Sequence, residues 1–163
     1  MNRTWLIIEK VIAILLLVWG IAALYTVTTT IANMFKLGYI ASQHISYFQL
    51  FVGAHLNFFL AIAAIVGGFM LFFNDKFGWI VSVVSCALYV VTFFRSSQAN
   101  AVSSTQPYNA FSKSYSLMAL LFLIILVFLI QKPFLKKYNV TATNWIWIIV
   151  IVALLILDKL FLK

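Results

Sequence analysis

Five apolar blocks, each long enough to cross or nearly cross a bilayer, take up most of the 163 residues. About 20 apolar residues match the ~30 Å hydrocarbon core of a membrane, and a water-soluble domain has no interior that could hide five such segments. In lipid every backbone N–H and C=O must be satisfied within the protein, so only helices and closed barrels can span. Barrel strands alternate apolar and polar residues over about ten positions, whereas these blocks are continuous. The chain therefore reads as all-α, a polytopic integral membrane bundle of five transmembrane helices.

The spans are expected near residues 5–29, 48–73, 77–94, 115–130 and 145–162, within a single transmembrane domain covering 1–163. The alternative has four spans, with the last block an interfacial helix. Against it, Trp145 to Leu157 has no polar face, and an in-plane helix needs one. Arg3, the run Val11 to Val18, and the small residues Gly20, Ala22 and Ala23 together resemble a signal peptide; the segment reads as a retained first span. The first span fades into Thr26, Thr28, Thr29 and Thr30, and Asn74-Asp75-Lys76 is a minimal polar turn. Residues 95–114, rich in Ser, Asn and Gln, read as a soluble loop.

Eleven Lys and Arg against three acids give a formal charge of +8. In a soluble protein this would point to nucleic acid. Here the cations stand at the ends of apolar blocks, where snorkelling and attraction to anionic lipid explain them, and no nucleic-acid partner is expected. Five spans put Arg3, Lys10, Lys76, Lys132, Lys136 and Lys137 on the side of the N-terminus, together with Trp5, Trp79, Trp145 and Trp147. Tyr25, Tyr39, Tyr47, Tyr89, Tyr108 and Tyr115 fall at or near the other side, which also holds Lys36, Arg95, Lys113, Lys159 and Lys163, so the cations lean only six to five toward the N-terminal side. Both aromatic types anchor helices at interfaces. The Lys132/Lys136/Lys137 group favours a cytoplasmic N-terminus, and the usage is that of a bacterial inner-membrane protein.

Within the second span Gly53, Asn57, Ala61 and Gly68 recur on one helical face, opposite a stripe in the third span that includes Gly78 and Ser82. Small residues let helix backbones approach closely, and Asn or Ser adds hydrogen bonds, so this set reads as a helix-packing surface between spans two and three. A polar pathway between them is the alternative. His55 points about 200° away from Asn57 around the helix and, with Glu9, is a candidate intramembrane polar or relay residue. For His55 a structural hydrogen bond is expected, and for Glu9 a charge that pairs near the interface. Asp158 reads as interfacial.

The chain offers no Ser–His–Asp set, no HExxH and no phosphate-binding glycine loop. Its single cysteine, Cys86, lies in an apolar block. No catalytic residue, metal or cofactor is expected, and the chain is not expected to be an enzyme. The reading that remains is a small non-catalytic subunit, working with other membrane proteins or with itself as an oligomer. Alternatives are an oligomeric channel or transporter for ions or small solutes, and a membrane-permeabilising effector. Glu9, His55 and Asn57, on this reading, reach across chains.

Overall fold

The computed structural model describes the backbone of residues 3–36, 47–103 and 110–161, and the side chains of 3–36, 54–98 and 113–158. Among the described residues the protein is all-helical, with no strand. Six helices follow one another among the described residues: α1 (Arg3–Lys36), α2 (Tyr47–Phe72), α3 (Lys76–Ser103), α4 (Ala110–Leu129), α5 (Lys132–Lys137) and α6 (Ala142–Phe161). Three of them, α1, α2 and α3, are long and apolar enough to cross a membrane, which fits a membrane location.

Two helices run past the bounds of the expected spans. The threonines at the end of the first span continue α1, because their hydroxyls bond back along the helix: Thr26 to the Ala22 carbonyl at 2.8 Å, Thr29 to Tyr25 at 2.8 Å and Thr30 to Thr26 at 2.8 Å. Such back-bonding satisfies a hydroxyl without leaving the helix. The stretch after Arg95, expected to be loop, stays helical to Ser103, and α4 begins at Ala110. Ser97 and Ser116 join the two helices there through a 2.7 Å hydroxyl contact. The remaining residues of that stretch, 104–109, lie outside the described residues.

The turns are set by local chemistry. Asn74 has φ 64°, and the Asn74 and Asp75 amides donate to the Leu71 and Met70 carbonyls at 3.0 Å each. This is the left-handed closure of a helix C-terminus, a position that asparagine tolerates. Asp75 then caps α3 by accepting the Phe77 amide at 2.6 Å. Asn139 (φ 47°) closes α5 in the same way. Thr141 and Asn144 cap α6 reciprocally: the Asn144 side chain accepts the Thr141 amide at 2.9 Å, and the Asn144 amide donates to the Thr141 carbonyl at 3.0 Å.

α1 packs antiparallel on α2, α2 on α3, and α3 on α4, while α6 lies outside this set against α3. The core runs through Leu16, Ala64, Leu71, Trp79, Val83, Cys86, Phe122 and Leu129. Glycines and alanines decide how close the helices come. A Cβ at Gly68 would stand 2.7 Å from the Ala13 carbonyl oxygen and 2.9 Å from the Leu17 nitrogen. One at Gly20 would stand 2.9 Å from the Ala61 carbonyl. Both lie at backbone-to-backbone contacts between α1 and α2.

Candidate functional site

Two polar clusters lie at opposite ends of the bundle. The first is built on Glu9, one turn after Trp5 on α1. Its carboxylate is completely buried. Lys137, the last residue of α5, forms a salt bridge with one carboxylate oxygen, and the Tyr138 hydroxyl donates to the other. Lys137 also donates to the Asn74 side-chain oxygen at 2.6 Å, and Lys10 reaches the same oxygen at 3.4 Å. Lys10 further bonds the Phe72 carbonyl and lies 4.6 Å from the Phe72 ring centre.

Local sequence explains how these groups meet. Pro133 at the start of α5 breaks the chain from α4, and Phe134 sinks into the core, its ring 5.7 Å from Trp5. With Phe134 fixed, Lys137 and Tyr138 fall one turn later on the inward side. Tyr138 stacks on Trp79, whose indole N–H donates to the Leu129 carbonyl at 2.9 Å. That carbonyl, near the end of α4, is thereby satisfied. The arrangement is a clamp in which α1 and the end of α5 meet at one carboxylate, and the α2–α3 turn holds the lysine that pairs with it.

The second cluster is a pair. His55 on α2 and Asp158 on α6 meet at 2.8 Å, Nε2 to Oδ2, with side chains 18% and 29% exposed. It links the outlying last helix to α2 near the end of the bundle opposite the clamp. Removing it should loosen α6 specifically. Asp158→Asn is expected to cost about 0.6–2 kcal/mol, the range for a hydrogen bond between membrane helices, and to speed hydrogen exchange in α6 with little change in α1. Equal exchange in both helices would show that the pair does not hold α6.

Several sequence expectations take a different form here. Glu9 pairs not with neighbouring Arg3 or Lys10 but with Lys137, far along the chain. Asp158 and His55 stand beside each other, so the hydrogen bond of His55 is made to a carboxylate. Both Glu9 and His55 therefore find partners inside the chain, so neither requires a contact across chains. Trp79 is fully buried and packs edge-on against Trp145 at that end of the bundle.

The stripe of small residues divides between two neighbours. Ala61 and Gly68 face α1. Gly78 meets α2, where its Cβ would stand 2.5 Å from the Leu71 nitrogen, and Ser82 is met by Gly67, absent from the expected set. Asn57 is exposed rather than packed. Gly53 lies outside the described side chains. Helical periodicity finds a face of small residues but does not say which neighbour covers it. Gly67, adjacent to Gly68, was available to the same reasoning.

The clamp and the pair each join residues of different helices. No group of three His, Cys, Asp or Glu gathers among the described residues. Trp19 Nε1, Ser82 Oγ and Tyr89 Oη are buried with no hydrogen-bond partner found among the described residues; Trp19 and Tyr89 stand ring to ring at 6.1 Å. A scan against protein-family models, a search of curated proteins and a search of solved structures each returned no match.

Proposed function

We propose that the protein is a non-catalytic integral membrane subunit, which acts by holding a shape in the bilayer and presenting it to other membrane proteins or to further copies of itself. The observation that carries this is the use made of the polar side chains. Glu9, Lys137, Tyr138, His55, Asp158 and the Trp79 indole are all spent on tying one helix to another. Between the two clusters the core is mainly apolar, through Leu16, Ala64, Val83 and Cys86, with the hydroxyls of Ser82, Ser85 and Tyr89 buried singly within it. Such a molecule is a scaffold; a conductor needs a ring of charge or a line of carbonyls along its path.

On this reading all five long helices cross the membrane. The two shorter ones, α4 and α6, have apolar stretches at Lys113–Leu129 and Ala142–Asp158, ~26 Å each at 1.5 Å per residue, at the short end of what crosses the hydrocarbon core. The end bearing Arg3, Lys10, Lys76 and the α5 lysines then faces the cytoplasm of a bacterial inner membrane by the positive-inside rule. Asn57, exposed on the outer face of α2, is the place where a partner helix gains a hydrogen bond.

The mass and composition of the particle in a mild detergent, by native mass spectrometry, test this. Other polypeptides at fixed ratio, or a stable oligomer that Asn57→Leu dissociates without altering ion flux, are the expected results. A homo-oligomer that conducts ions, with flux changed by His55→Leu while assembly survives, would replace this reading with that of a channel.

A further inference from the structure

Between α1 and α4 the bundle is open. Ile7, Val11 and Leu15 on one side and Leu121, Ile124 and Phe128 on the other line an apolar groove of about 490 Å³. In a membrane such a groove is filled by something apolar and flexible. What lies at its end says what that is. Ile7 and Val11 follow Arg3 at steps of four residues, so Arg3 stands on the same stripe of α1, one turn beyond the groove. On the facing helix Phe128 lines the groove, and Lys132 opens α5 just after α4 ends. Trp5 against Phe128, with ring centres 6.5 Å apart, brings these two helix ends to one level.

Arg3 and Lys132 are both exposed, and the nearby acid, Glu9, is buried and already paired with Lys137. The mouth of the groove is therefore cationic, and its length is apolar. We infer that the α1–α4 groove is a binding site for an anionic phospholipid, which lays an acyl chain along Ile7, Val11, Ile124 and Phe128 and sets its phosphate between Arg3 and Lys132. A partner helix would match the apolar length but not the paired cations at its end. Arginine suits the phosphate through two parallel hydrogen bonds, and lysine adds a point charge.

The inference rests on α4 crossing the bilayer beside α1, and that part is checked separately. Single cysteines at Thr4→Cys and Gln131→Cys, in a Cys86→Ser background, should label from the same face of the membrane. Labelling from opposite faces would refute the topology itself. Binding is then read by native mass spectrometry of the full chain, titrated with phosphatidylglycerol and phosphatidylcholine of identical acyl chains. Each basic residue near the surface favours an anionic lipid by roughly fivefold, so the parent should prefer phosphatidylglycerol by about tenfold or more.

Arg3→Gln with Lys132→Gln should abolish the preference, whereas Lys36→Gln at the far end of α1 should leave it. Ile124→Trp fills the groove from an exposed position and should reduce binding of both lipids; Leu121→Trp is the second variant if the first does not fold. Glycerol phosphate should not displace the lipid. Equal binding of the two lipids, a preference that survives the double variant, displacement by glycerol phosphate, or a dimer that excludes lipid from the groove would each overturn the inference.

Discussion

Lys137→Met should destabilise the protein more than the loss of any other single charge. Glu9 is completely buried, whereas the Lys137 side chain is 19% exposed. Removing the lysine strands a carboxylate from which water is excluded, and breaking a buried pair by deleting one partner costs about 3–5 kcal/mol. Removing the acid instead leaves a lysine with a long, flexible stem that can swing toward solvent and headgroups. Glu9→Gln should therefore be the milder change, and it retains a side chain that can hydrogen-bond Tyr138.

The double variant Glu9→Gln/Lys137→Met should recover part of what Lys137→Met loses. Such recovery is the signature of coupled partners in a double-mutant cycle. The measurement is reversible unfolding in mixed detergent for the parent, the two single variants and the double. Additive losses in the two singles would mean that the clamp is not a functional unit of the fold.

Gly68→Leu should separate α1 from α2. Even Gly68→Ala places a Cβ 2.7 Å from the Ala13 carbonyl oxygen, and that neighbour is backbone, which cannot rotate away as a side chain can. Overpacking a core costs about 1–3 kcal/mol when side chains can adjust; alanine here should reach the upper part of that range and leucine exceed it. Thermal midpoints in detergent, compared with Phe69→Leu on the exposed neighbouring position, provide the check. A Gly68→Leu protein as stable as the parent would show that the helices do not touch there. The α2–α3 hairpin is not expected to open, because its close contacts are made by Gly67 and Gly78.

These expectations divide by how they could be reached. The helical class, the location of the apolar segments and the turn at Asn74-Asp75 follow from the sequence, because each depends on a few consecutive residues: apolar length against bilayer thickness, or an asparagine that accepts a left-handed φ. The gathering of Trp5, Trp79, Trp145, Lys76 and Lys137 at one end is likewise contained in the order of the helices.

The extent of α1 and α3 was less legible. The serines after Arg95 read as loop formers until a hydroxyl among them is seen to bond a neighbouring helix. Composition alone cannot distinguish a hydroxyl satisfied by its own helix from one that ends it.

Only tertiary structure decided which charges meet. Glu9 and Lys137 are more than a hundred residues apart, as are His55 and Asp158. Each acid has a nearer cation in sequence than the partner it takes. The choice depends on rotation about the helix axis, to which neither hydropathy nor length is sensitive, because a membrane helix with little amphipathic character lacks the polar stripe that orients a soluble one. The sequence by itself determined that the chain forms apolar helices, and roughly where they begin and end, since burying backbone in lipid leaves no other solution. Which faces pack, and so where the clamp, the His55–Asp158 pair and the open α1–α4 groove lie, was decided by the close approach of backbones at Gly20, Gly67, Gly68 and Gly78.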